Sequence, residues 1–269
     1  AELRHHWPLD DRSGLEASEV VSGADGSLLK FGNSDDSHWV DGKHRGALSL
    51  GTGSTLSNHV VAEIPAMDAA ATGGFTIALW IRPGSVVGRT GEYQLFNAPG
   101  GGIGFTIYNG TFQGIAHNRV LLLWDGDLSK IVVGTTRLSP GTWYHVAVTS
   151  TGVGGVRQLY VNGARETKRL FVASGGVDRG NSNGWPAGTA MFGAFNSVGG
   201  RWHDSVIDDV RIYDTALSGE EIFEVFSAEP PEDRFVRGDA NSDGEVNITD
   251  GIVVLNHLFL GGEAPACMD

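Results

Sequence analysis

Gly74-Phe-Thr-Ile-Ala-Leu-Trp-Ile-Arg82 is an unbroken run of aromatic, β-branched and aliphatic residues with a glycine in front and a proline behind. Such a run, bounded by chain breakers and too short for a stable helix, has the pattern of a strand. The same pattern recurs outward from it. Tyr93-Gln-Leu-Phe-Asn97 and Ile103-Gly-Phe-Thr-Ile-Tyr108 follow, then Thr142-Trp-Tyr-His-Val-Ala-Val-Thr149, Arg157-Gln-Leu-Tyr-Val161 and Val206-Ile-Asp-Asp-Val-Arg-Ile-Tyr213. Glycine-rich turns separate them. Asn162-Gly163, directly after one strand, marks a tight hairpin turn because both residues tolerate φ > 0. No long amphipathic helices alternate with the strands, which argues against a parallel α/β sheet. Residues 1–228 are therefore predicted to form a mainly β domain, an antiparallel β-sandwich.

Composition agrees. Forty glycines and 19% charged residues in 269 describe a turn-rich chain, and 41% hydrophobic residues suffice for a packed core. Thirty-two acidic against 19 basic residues leave a net charge of −13. That surface repels phosphate backbones and anionic membranes, so no nucleic-acid partner is expected. No apolar run approaches the ~20 residues that cross a bilayer, so no membrane insertion is expected. The start Ala1-Glu-Leu-Arg-His-His is polar and unlike a secretory signal peptide; Ala1 fits the residue left after one is removed. The single cysteine, Cys267, excludes an internal disulfide framework.

Ser218-Gly-Glu-Glu221-Ile-Phe-Glu-Val-Phe226 predicts a short helix with Ser218 as N-cap and Glu221 completing a capping box. Its Ile222, Phe223, Val225 and Phe226 are expected to fold onto the sandwich. Glu229-Pro-Pro-Glu-Asp233 then breaks regular structure, so 229–235 is assigned as a stiff linker. Residues 236–262 form a second module, and 263–269 a tail. In that module Asp239, Asn241, Asp243, Asn247 and Asp250 fall at loop positions 1, 3, 5, 9 and 12, with Gly244 at 6 and Glu245 at 7. This is the spacing a calcium ion needs from twelve residues. Asp239, Asn241 and Asp243 supply side chains, Glu245 its main-chain carbonyl, and Asn247 a contact through water. Asp250 closes the shell from a helix expected over 249–260. Millimolar calcium outside cells suits such a loop, so a secreted, extracellular location is expected.

The Asp250 ending, with the lead-in Val236-Arg-Gly-Asp and the close Leu-Phe-Leu-Gly-Gly, resembles the dockerin type I repeat of secreted bacterial proteins. That family carries two such repeats and binds cohesin domains. One repeat is present here, with Ile248 and Thr249 at the tenth and eleventh loop positions, where better-known members often carry Ser and Thr. In the large domain several phrases in order are similar to the laminin G-like, or concanavalin A-like, jelly roll. They are Gly46-Ala-Leu-Ser-Leu-Gly51, Phe75-Thr-Ile-Ala-Leu-Trp80-Ile-Arg-Pro, Gly141-Thr-Trp143-Tyr-His-Val-Ala, Leu159-Tyr-Val-Asn-Gly163 and Ile207-Asp-Asp-Val-Arg-Ile-Tyr-Asp-Thr-Ala-Leu-Ser218. The resemblance implies two stacked antiparallel sheets and a binding or spacer role. It also implies a second calcium ion near one rim, for which Asp25 and Asp208 are the candidates, with Asp209 behind them. The alternative is that Asp25 caps a turn while Asp208 pairs with an arginine.

Nothing in the strands points to catalysis. Glycoside hydrolases on such folds place two carboxylates on one strand with alternate spacing. Here Asp208 and Asp209 are adjacent, and in a regular strand they point to opposite faces. Gly-x-Ser-x-Gly and His-Glu-x-x-His are absent. The chain is therefore expected not to be an enzyme. Among seven tryptophans, Trp124, Trp185 and Trp202 lie in or beside polar, glycine-rich segments. Trp124 and Trp185 are candidate sugar-stacking residues; the alternative is that each plugs an end of the sandwich.

Two functions follow. One is a non-catalytic, calcium-binding recognition or adhesion module for polysaccharide or a cell-surface glycan. The other is a structural subunit of an extracellular assembly or fibre. It would connect through the half-dockerin module to a cohesin-like domain, or to itself through Ile252, Val253, Leu255, Leu258 and Phe259.

Overall fold

The computed structural model describes residues 1–31, 36–51, 58–85, 91–101, 103–112, 115–125, 130–152, 154–167, 169–172, 184–195, 204–228, 240 and 248–262. The chain divides into two compact units, Ala1–Ala228 and Glu229–Asp269.

The first unit is an antiparallel sandwich. One sheet runs Ala164–Arg165, Arg157–Val161, Tyr144–Ser150, Phe75–Arg82, Val206–Tyr213, Gly46–Ser49, Trp39–Asp41, with Leu3–Trp7 also paired to Val206–Tyr213. The other, nine-stranded, runs Arg169–Val172, Lys130–Val133, Ile115–Asp125, Ile103–Phe112, Gly91–Asn97, Gly188–Phe192, His59–Ile64, Gly26–Leu29, Glu16–Ala17. Alternation decides what each residue does. Phe75, Ile77, Leu79 and Ile81 enter the shared core and meet Leu95, Phe96, Phe105 and Phe192 of the other sheet. Thr76, Ala78 and Trp80, on the opposite face of the same strand, are buried too. Covered on both sides, that central strand lacks the polar alternation of a half-exposed one, and so its sequence is unbroken.

The cover is the helix Gly219–Ser227, which lays Ile222 on Ala78, Ala147 and Tyr160. Its capping box is formed: Ser218 Oγ accepts the Glu221 N–H at 3.2 Å and Glu221 accepts the Ser218 N–H at 2.8 Å. Phe226 packs against Trp80 and His145, with ring centroids 5.6 and 5.9 Å apart. Phe223 departs from the expectation and is 56% exposed. Positions 222, 225 and 226 share one helix face by their spacing, and 223 falls off its edge. The Asn162-Gly163 turn has φ of 50° and 74° at its two central residues, as the hairpin requires.

Strand Val206–Tyr213 changes partner halfway. Val206 and Ile207 pair with Ser49 and Leu48, whereas Val210 to Tyr213 pair with Trp7 to Leu3. A bulge sits at the handover, between Asp208 and Arg211, with Asp209 at φ 52°. The two aspartates therefore do not alternate as in a regular strand. Asp208 lies beside Trp80 on the outer face, and Asp209 turns to His6 and Arg211 on that same face.

In the second unit a helix spans Ile248–Leu260. Asp250, in its first turn, is 3% exposed, and its Oδ1 accepts the Ala240 N–H at 2.8 Å.

Candidate functional site

One row of outward-facing residues crosses six strands of the nine-stranded sheet. Its register is Ser27, Val61, Met191, Asn97, Gly104, Trp124. At the Ser27 end lies an open cleft of about 390 Å³ lined by Gly23, Ala24, Asp25, Ser27, Val61 and Glu63. Val61 forms an apolar floor, while Asp25, Ser27 and Glu63 stand exposed around it. Glu63 reaches the floor's rim because it follows Val61 by two residues and shares its face. Gly26 pairs with Ala62 at the end of its strand, and Asp25, the residue before it, lines the cleft together with Glu63. Glu63 accepts a hydrogen bond from Thr189 Oγ1. Asp25 Oδ1 accepts the Glu19 N–H at 2.7 Å, so Asp25 also caps the loop that walls the cleft.

That loop, residues 19–25, is wound around the buried Glu19 carboxylate. Glu19 accepts N–H groups from His6 (2.7 Å), Val21 (3.0 Å), Ser22 (2.6 Å) and Ala24 (3.2 Å), and the Ser22 hydroxyl at 2.6 Å. Burial alone raises its pKa, but the Ser22 hydroxyl and the His6, Ser22 and Val21 amides outweigh it and hold the group at about 2.

At the other end of the row Trp124 is 7% exposed. Its indole lies across Gly104, where a Cβ would sit 2.1 Å from Nε1; only glycine leaves room. The ring joins Val120, Leu122, Ile131 and Val133, with Phe195 at 5.8 Å. Trp185 is 5% exposed and packs against Phe75 and Phe96 at 5.4 and 5.9 Å. A closed indole has no free face for a sugar ring, so both tryptophans act as plugs here, contrary to their assignment as stacking residues. Trp202 lies outside the described residues. Between the two ends the outer face is polar: Gln94, Asn97 and Thr106 are buried there, and Asn97 donates to the Phe195 carbonyl at 2.9 Å.

Asp25 and Asp208 do not share a site, because they lie on outer faces of different sheets. Asp208 is 1% exposed, and its Oδ2 accepts the N–H groups of Lys43 (2.8 Å) and His44 (3.0 Å). The nearby arginine, Arg211, pairs with Asp209 instead, at 3.0 Å. Burial, with the Asp209 charge adding to it, pushes Asp208 up to about 8 against those two amides. Asp209 moves the other way: burial would raise it, but His6 and Arg211 lower it further. The other oxygen of Asp208, Oδ1, is buried with no hydrogen-bond partner among the described residues. Among the described residues no three His, Cys, Asp or Glu side chains stand close enough to hold a metal ion. Asp239, Asn241, Asp243, Glu245 and Asn247 lie outside the described residues. Asp250 is described, and its carboxylate accepts the Ala240 N–H.

Asp208 makes a testable contribution. Its folded pKa is raised, so stability is greatest below the ordinary carboxylate range and falls as pH climbs to about 8. Asp208→Asn keeps an acceptor for Lys43 and His44 and removes the titration. The variant is expected to match the parent near pH 4 and exceed it by about 2–3 kcal/mol at pH 9. Urea denaturation across that range checks it; parallel pH curves would refute the assignment.

The profile of the concanavalin A-like lectin/glucanases superfamily matches residues 39–223, well over half of the chain. The chain belongs to that superfamily. No curated protein matches the chain by sequence. Several solved structures are similar to it in fold. Domain 4 of AbnA, a GH43 extracellular arabinanase from Geobacillus stearothermophilus solved with arabinotriose, is 17% identical at a TM-score of 0.56. The match covers 84% of this chain and 98% of that one. The binding domain of Paraclostridial Mosquitocidal Protein 1 is 18% identical at 0.55, over 83% of this chain and 51% of the other. That of botulinum neurotoxin serotype C1 is 16% identical at 0.53, over 84% and 51%. This lectin/glucanase-type chain thus spans about half the length of the two toxin domains.

Sequence reasoning missed Ser27, Val61 and Glu63. His59–Ile64 carries a strand signature, but which face of it borders Asp25 depends on pairing with Gly26–Leu29. No local pattern reports that pairing.

Proposed function

We propose that this chain is a non-catalytic, extracellular carbohydrate-binding module whose C-terminal unit carries a calcium loop. The cleft over Val61 carries the reading. An apolar floor suits the C–H face of a sugar ring, and Asp25, Ser27 and Glu63 around it suit the ring hydroxyls. The arabinotriose bound by a domain of this fold in an arabinanase motivates testing neutral plant polysaccharides first. Non-catalytic action is supported by Asp208 and Asp209. Their pKa values diverge as in an acid–base pair, yet both are buried beneath the sandwich's own segments. In the calcium loop Asp239, Asn241, Asp243, Glu245, Asn247 and Asp250 would hold the ion. It would supply a local scaffold for the loop and the first turn of the helix.

Affinity electrophoresis in gels containing arabinan, xylan or galactomannan tests the reading. Retention by at least one of them is expected, with no new reducing ends after prolonged incubation. Asp25→Ala combined with Glu63→Ala is expected to weaken retention about tenfold or more, as loss of one or two charge-assisted hydrogen bonds implies. Unchanged retention in the double variant would remove the cleft from consideration.

A second reading, an assembly subunit, is favoured by one observation. Helix Ile248–Leu260 exposes Ile248 (80%), Ile252 (59%), Leu255 (55%) and Phe259 (75%) at three- and four-residue spacing. Such a stripe suits burial against a cohesin-like domain or a second copy.

A further inference from the structure

We infer that the cleft over Val61 selects neutral, hydroxyl-rich glycans and rejects uronate-containing or sulfated ones. This inference rests on the carbohydrate-binding reading.

The hydrogen-bonding inventory of the cleft is lopsided. Among the described residues its charged side chains are Asp25 and Glu63, and no basic side chain lines it. Ionised carboxylates only accept. Among the lining amides, that of Ala24 is already spent on Glu19 at 3.2 Å, and the Glu19 carboxylate faces the loop rather than the cleft. Among the described lining residues Ser27 contributes the one side-chain hydroxyl. A ligand must therefore bring donors, which sugar hydroxyls do and a carboxylate or sulfate does not. Charge acts in the same direction. Asp25, just before strand Gly26–Leu29, and Glu63 line the same cleft, and Glu16 pairs with Ser27 on the other side. Two like charges lining one cleft disfavour its empty state. A donor-rich ligand relieves that repulsion; an anionic one adds to it within a single Debye length. The net charge of −13 extends the same field around the molecule.

The test is native affinity electrophoresis of the full chain against neutral arabinan and galactomannan and against polygalacturonate, in EDTA, at low and high salt. Retention by a neutral polymer is expected to exceed retention by polygalacturonate at least tenfold at low salt. The gap should narrow at high salt as screening grows. Glu63→Gln, which replaces a carboxylate oxygen by a donor at an exposed position, is expected to narrow the low-salt gap severalfold with an unchanged unfolding temperature. Polygalacturonate retained as strongly as the neutral polymers at low salt would overturn the selectivity and leave the carbohydrate reading standing. Binding abolished by EDTA would place a cation, not the carboxylates, against the sugar and would also overturn it. Retention by no polymer at all would end both readings together.

Discussion

Glu19→Ala is expected to lower the unfolding free energy of the sandwich by about 3–5 kcal/mol. Four backbone amides and one hydroxyl converge on that carboxylate, whose side chain is fully buried. Removing it leaves amides turned inward on nothing, and each buried donor without a partner costs about 1–3 kcal/mol, not fully additively. Glu19→Gln should fall between, because its amide nitrogen faces donors that the carboxylate accepted. The pH dependence separates this role from packing. Glu19 has its folded pKa depressed to about 2 from an ordinary 4.5, so its contribution is present above about 4.5 and is lost as pH falls toward 2. The parent should lose about 2–3 kcal/mol across that window through this group, allowing for solvent screening near the loop, and Glu19→Ala should not. Denaturation at pH 5 and pH 2.5 decides. Equal losses in both proteins would show that loop 19–25 is held by something other than its central carboxylate. The consequence for function is direct, since Asp25 is tied to the same loop through the Glu19 amide.

Calcium removal is expected to have an effect of similar size, confined to the second unit. An ion at a thousandfold excess over its Kd contributes about 4 kcal/mol to the fold that binds it. If the loop holds calcium as proposed, removing the ion leaves Asp239, Asp243 and Asp250, which lie within twelve residues of sequence, without a counter-charge. Helix Ile248–Leu260 is then left with the contact of Asp250 with Ala240. Chelation should therefore reduce the helical circular-dichroism signal and open the chain to protease near residue 240. The main unfolding transition should stay in place, because the first unit has its own core. An unchanged digestion pattern would refute calcium binding at this loop. A chelation-induced fall of the main transition would instead reveal an ion in the sandwich, with Asp25 as the first residue to mutate. Light scattering on the same samples weighs the two functions. Calcium-dependent oligomers that dissociate on chelation would favour assembly through Ile252, Leu255 and Phe259, and a monomer throughout would favour recognition.

Local patterns carried much of this protein. Strands Arg157–Val161 and Val206–Tyr213 begin and end where their runs of β-branched and aromatic residues do. The Asn162-Gly163 turn and the Ser218–Glu221 box each depend on residues within four positions of one another, so the sequence alone specified them. Tertiary structure decided the rest, because the interactions concerned span long separations. Trp124 looks like a loop residue until Gly104, twenty positions earlier, is found beneath its ring. Asp208 and Asp209 alternate on paper, but the strand trades Gly46–Ser49 for Leu3–Trp7 between them, and the bulge at that exchange turns both to one face. Glu63 reads as an ordinary exposed strand residue until pairing with Gly26–Leu29 brings it to the cleft that Asp25 also lines. Composition, turn chemistry and hydrophobic runs thus determined that the chain is an antiparallel sandwich followed by a C-terminal helix. Which side chains meet on its surface was decided by strand register, a property of two segments at once that neither segment encodes alone.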